Sequence, residues 1–87
     1  MKVEVLKESM RVEILVVSID DSGVIVDTES EAIVDLHLVD AQNAIIKVFE
    51  DRDLLLLSGP VTVEGDEIEG WIVFENGIPV GLVEPLE

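Results

Sequence analysis

The chain's single histidine, His37, stands two residues after Asp35 in AIVDLHLV (32–39). On a β-strand that spacing sets both side chains on one face about 7 Å apart, the arrangement in which a carboxylate could orient an imidazole for base catalysis. No serine is joined to the pair by a local motif and the chain has no cysteine, so the nucleophile such a base would serve is missing. One histidine without partners does not make a zinc site. The expectation for His37 and Asp35 is therefore a solvated face. A second candidate, DDSG (20–23), gathers Asp20, Asp21 and Ser22. A calcium loop of the EF-hand type spreads its ligands over about twelve residues and closes on a bidentate Glu. Here the glycine comes too early and no such Glu follows, which leaves a plain turn. Phosphate-binding glycine loops, GxSxG, HExxH and CxxC are all absent from the sequence. A non-enzymatic protein is expected, with no catalytic residue, cofactor site or metal-ligand set assigned.

Charge is the strongest signal. Twenty Asp and Glu against five Lys and Arg give a net charge of −15 and an isoelectric point near 4.1. Nucleic-acid binding requires cations that neutralise phosphates, so that class is excluded, and anionic membrane surfaces would repel the chain too. The natural complement is a basic protein, drawn in by electrostatic steering. The carboxylates fall in clusters: Asp20 and Asp21; Asp27, Glu29 and Glu31; Glu50, Asp51 and Asp53; and Glu64, Asp66, Glu67 and Glu69. The last cluster adjoins the only tryptophan, Trp71. If IEGWIVF (68–74) is a strand that continues back through Glu67, then Glu67, Glu69 and Trp71 share one face, combining steering charge with an aromatic anchor. Glu64, Asp66, Glu67, Glu69 and Trp71 are the candidate partner-binding set. The plainer alternative is that acidity only keeps an apolar β-protein soluble.

The elements that must position these groups are mostly strands. Fifteen Val and nine Ile lie in short runs between turn residues, a β signature. KVEVLK (2–7) alternates, and RVEILVVSI (11–19) sets Val12, Ile14 and Val16 on one face. Its other face begins with Arg11 and Glu13 but continues with Leu15, Val17 and Ile19, as expected of a central or interface strand. DDSG turns the chain into VIVDT (24–28). AIVDLHLV points Ala32, Val34, Leu36 and Leu38 inward. One helix is expected over 40–52, because Ala41, Ala44, Ile45, Val48 and Phe49 form a single apolar stripe and Asp40 can cap it. Residues 54–57 are either a buried strand or the helix end. PVTVEG (60–65) sets Val61 and Val63 on one face. The expected architecture is one α+β domain spanning 1–87, with about six to eight short, mostly antiparallel strands and one helix.

FENGIPVG (74–81) carries the clearest local signal. Asn76-Gly77 suits a type I′ turn, whose two central residues need positive φ. That register pairs Glu75 with Ile78, Phe74 with Pro79, Val73 with Val80, Ile72 with Gly81 and Trp71 with Leu82. Pro79 cannot donate to a further strand, so 78–83 is expected at an edge. Trp71, Val73, Ile78, Val80 and Leu82 would share one apolar face and Ile72 and Phe74 the other. A single helix covers only one face of a sheet. A chain that is 48% apolar at this size has little interior for the rest, so a second subunit is expected against Trp71, Val73, Ile78, Val80 and Leu82 or against the edge itself; the equal alternative is a two-layer monomer with Trp71 in its core.

IVFENGIPVGLV (72–83) resembles the hairpin that ends a CBS module, where a following Thr and Asp would contact a nucleotide ribose. Here Glu84-Pro85-Leu86-Glu87 follow and neither residue is present. IDDSGVIV is similar to a stretch of the swapped-hairpin transcription factors of the AbrB type, whose basic Arg and Pro are missing. Neither resemblance assigns a family. Charge along MKVEVLKESM and apolar runs of only four residues exclude a signal peptide or a membrane-spanning segment, so a cytoplasmic location is expected. The expected role is an acidic homo-oligomer, most simply a dimer, that binds a basic protein as an inhibitor, antitoxin or nucleic-acid mimic. The alternatives are a small-molecule or metal-binding sensor and a structural assembly subunit.

Overall fold

The computed structural model describes residues 8–55 and 59–86. Its elements in chain order are β1 (Ser9–Ile19), β2 (Ile25–His37), α1 (Ala41–Asp51), β3 (Val61–Asp66), β4 (Gly70–Glu75) and β5 (Ile78–Pro85). The strands form one antiparallel sheet in the order β2-β1-β5-β4-β3, so the fold is α+β as expected. The strands number five among the described residues, fewer than expected, partly because 24–28 and 32–39 belong to one long strand. A bulge allows this. Ile14 faces Ala32 while Leu15 faces Ser30, which leaves Glu31 as the extra residue, and the strand bends there instead of ending. KVEVLK lies outside the described residues. Of 54–57, Leu54 and Leu55 belong to no strand or helix, and the other two lie outside the described residues. No described helix is long and apolar enough to cross a membrane.

The helix covers one face of the sheet. Ile45 and Phe49, from its apolar stripe, are fully buried together with Val12 and Ile14 of β1, Val73 of β4 and Val83 of β5. Burying a side chain of Phe49's size contributes about 1.5–3 kcal/mol, and its seat depends on one glycine: a Cβ at Gly81 would run into the Phe49 ring and the Leu15 carbonyl. Asp40 occupies the N-cap position, yet its carboxylate accepts from Asn43 Nδ2 at 3.0 Å rather than from a backbone N–H. At the other end Asp53 adopts φ 59°. Its N–H donates to the Glu50 carbonyl, and that of Leu54 to the Phe49 carbonyl, a Schellman arrangement that stops the helix. Leu54 then folds back onto the core.

The C-terminal hairpin departs from its expected register. Asn76 and Gly77 have φ 53° and 79°, as a type I′ turn requires, and Glu75–Ile78 and Phe74–Pro79 pair as expected. Beyond them a bulge intervenes, so that Val73 faces Gly81, Ile72 faces Leu82 and Trp71 faces Val83. The extra residue, Val80, exchanges the faces of everything after it. Trp71 and Val73 therefore lie under the helix with Gly81 and Val83, while Ile72 and Leu82 share the opposite face. β5 is also not an edge, since residues 81–85 pair with Val12–Val16 of β1. Pro79 escapes the cost of a missing N–H because that second ladder stops at Gly81. The edges are β2 and β3.

Candidate interaction site

The predicted partner-binding set is split by the fold. Residues 67–69 form the turn between β3 and β4 rather than part of a strand. Asp66 holds that turn: its Oδ1 accepts the N–H groups of Ile68 at 2.9 Å and Glu69 at 2.8 Å. Glu67 and Glu69 consequently do not share a strand face with Trp71. Trp71 is 4% exposed, facing Gly65 across the ladder, and its burial removes it as a surface anchor. The carboxylates remain exposed around it. Asp66 and Glu67 rim a depression with Leu38, Asp40 and Gln42. On the opposite side Glu64 and Glu69 rim another with Ile72, Leu82 and Glu84. Glu84 comes close only through the β4–β5–β1 pairing, so no local pattern could have revealed it.

The predicted self-association set is divided as well. Trp71 and Val73 are buried beneath α1, whereas Leu82 lies with Ile72 on the face that no described element covers. Leu15, opposite Leu82, and Phe74 lie on the same face, but Leu15 is buried, at 9% exposed, and Phe74 is half-buried. Ile78 and Val80 sit at the turn end, partly exposed. Among the described residues the apolar side chains left at least partly exposed on that face include Ile72, Phe74 and Leu82, a different set from the expected one.

The far end of the β1–β2 hairpin is an acidic arm. The ladder between β1 and β5 stops at Val16, and the two strands run on together to Ile19 and Ile25. The molecule is correspondingly long, 56 × 22 × 19 Å. From residue 16 to 31 this arm carries Asp20, Asp21, Asp27, Glu29 and Glu31 and no Lys or Arg. Two of these acids hold the backbone. Asp20 Oδ1 accepts from Ser22 N at 2.9 Å, Ser22 Oγ at 2.6 Å and Val24 N at 3.1 Å. Hydrogen bonding by the Ser22 hydroxyl, then by the Val24 N–H, holds the Asp20 carboxyl below its ordinary pKa. Asp27 Oδ1 accepts the N–H of Thr28 at 2.9 Å. Asp21, Glu29 and Glu31 are exposed.

His37 and Asp35 are both exposed on the open face of β2. Asp35 faces Arg11 directly across the ladder, with Oδ1 3.9 Å from Nε. The neighbour with which the carboxylate pairs is thus a guanidinium. Among the described residues no three His, Asp or Glu side chains converge as a metal site. The chain matches no protein-family model, no curated protein and no solved structure. What it can do must therefore be argued from charge, exposed edges and open faces.

Proposed function

We propose that the chain is a homo-oligomeric interaction protein that binds a basic protein partner, as an inhibitor, antitoxin or nucleic-acid mimic whose carboxylates stand where phosphates would. The observation that carries this reading is the acidic arm: five carboxylates without a cation on a ribbon that extends beyond the rest of the sheet. Like charges held together on a ribbon raise the local potential and cost stability, and attraction to a cationic surface would offset that cost. Self-association rests on a different surface, the face of Ile72, Phe74 and Leu82. Keeping the two apart matters, because two copies brought together through their arms would repel.

Glu29→Gln, Glu31→Gln and Asp21→Asn together lower the arm's charge while leaving the carboxylates that hold backbone N–H groups in place. Wild type and this triple variant would be used to capture proteins from the same lysate and eluted with rising salt. A basic protein held by wild type and released by the variant at markedly lower salt is the expected outcome. Equal retention, or no basic protein on either, overturns the reading. Sedimentation equilibrium tests the other half, where a monomer at every concentration would remove self-association.

A further inference from the structure

We infer that the outer edge of β2, residues 33–37, accepts an added β-strand from the basic partner. This rests on the proposed function and names where and how that partner would bind. The N–H of Leu38 donates to the Glu8 carbonyl at 2.9 Å, so Leu38 turns its backbone toward β1. By alternation Leu36, Val34 and Ala32 do the same. Ile33, Asp35 and His37 then turn their N–H and C=O groups away from β1, and among the described residues no strand stands beyond β2. These groups form an unpaired row, the template on which a further strand pairs.

The sheet's two edges are treated differently. β3 has six residues, and α1 guards it, with Gln42 Nε2 donating to the Val63 carbonyl at 3.1 Å. β2 has thirteen. In its far half the Asp27 carboxylate takes one N–H, that of Thr28; residues 33–37 hold neither Lys nor Pro and have no such side-chain bond to their backbone among the described residues. Ile33 is 58% exposed there, and it adjoins a depression shared with Arg11, Asp35 and Leu86.

Charge selects the occupant. A second copy pairing antiparallel about Asp35 would set Asp35 against Asp35, and pairing about Ile33 would set Glu31 against Asp35, where like charges directly opposite are destabilising; registers about Val34 or Leu36 escape this, so net charge is what disfavours a second copy in every register. Each copy carries −15. Side chains facing Glu31, Ile33 and Asp35 across a ladder are two residues apart on one face, so a strand reading Lys-x-Val-x-Lys meets Glu31 and Asp35 with opposite charge and offers an apolar side chain to Ile33.

The probe is an amidated peptide repeating Lys-Thr-Val-Thr, which sets lysine and valine in turn along one strand face, alongside the same peptide N-methylated at alternate residues, which keeps the charge but blocks pairing. Isothermal titration and amide exchange would be followed on wild type and on Ile33→Pro. That proline removes only an outward-facing N–H, and Ile33→Lys serves as a second variant should the proline prevent folding. Stoichiometric binding, with amides of Ile33, Asp35 and His37 protected and affinity lost by at least about tenfold on N-methylation and in the variant, is the expected result. Binding that ignores N-methylation and both variants overturns the edge while leaving the basic-partner reading intact. Failure of either peptide to bind wild type overturns the edge too, and the lysate capture then decides the broader reading separately. A dimer that Ile33→Pro converts to monomer would give the edge to a second copy and overturn the assigned occupant.

Discussion

The two ends of the β1–β2 hairpin follow one sequence rule and reach opposite physical outcomes. Near its open end Val12 and Ile14 alternate with Arg11 and Glu13 and are fully buried, because β5 extends the sheet beside them and α1 lies on top. In the arm Val17 and Ile19 alternate with Val16 and Ser18 just as regularly, yet they are only partly covered, and Val24 and Val26 across the turn are 57% and 62% exposed. Alternation establishes that a strand forms and which residues share a face. Burial depends on what stacks against that face, which strand periodicity alone does not encode.

Substitution should expose the contrast most strongly at the core. Phe49→Ala removes the largest fully buried side chain and should cost about 3–5 kcal/mol by chemical denaturation. Val26→Ser on the arm should stay within about 0.5 kcal/mol. Comparable losses at the two sites would mean that the arm is covered in solution, against the proposal that copies meet on another face. A step smaller, Gly81→Ala presses a methyl group into the Phe49 ring and the Leu15 carbonyl and should cost about 1–3 kcal/mol. The double variant Gly81→Ala/Phe49→Ala should lose less than the sum, because removing the ring relieves part of the clash.

The same distinction sorts what was legible beforehand. The helix stripe of Ala41, Ala44, Ile45, Val48 and Phe49, the Asp20 turn and the Asn76-Gly77 turn depend on neighbours within a few residues, and all three are present as expected. The face assignments of Trp71 and Leu82 failed because a single bulged residue, Val80, inverts every position beyond it, and turn chemistry does not announce a bulge. Pro79 suggested an edge, but the proline lies just past the reach of β1. Glu75, 1% exposed beside Val61 across the ladder, also defies its residue type, since nothing local marks a glutamate in this chain for burial. The candidate site was legible as charge and not as geometry: Glu64 and Glu69 meet Glu84 only through pairings far apart in sequence.

Hydrogen exchange should resolve the two ends without mutation. Amides of Ile14 and Val83, in ladders beneath the helix, should open only with global unfolding. Those of Val17 and Ile25 should exchange through local opening, because a two-stranded ribbon is marginal by itself. Uniform protection along β1 would again point to a second copy or partner over the arm.

The smallest effect belongs to the arm's tip. Asp20 is fully exposed, and its pKa is lowered from the ordinary 3.8 by the hydrogen bonds that its carboxylate accepts from Ser22 and Val24. A carboxyl whose folded pKa is depressed contributes stability above its unfolded pKa and loses it as pH falls through the folded value. Below about pH 3.8 the tip should therefore loosen progressively while the helix-covered core stays closed. In an NMR titration the Asp20 carboxyl should titrate below its ordinary value, the amides of Ser22 and Val24 should shift with it, and those of Ile14 and Val73 should stay still over that range. Asp20→Asn should abolish the titration and speed exchange at Val24 without moving the global denaturation midpoint. Core amides that moved together with Asp20 would mean that arm and core open as one unit, removing the division between them.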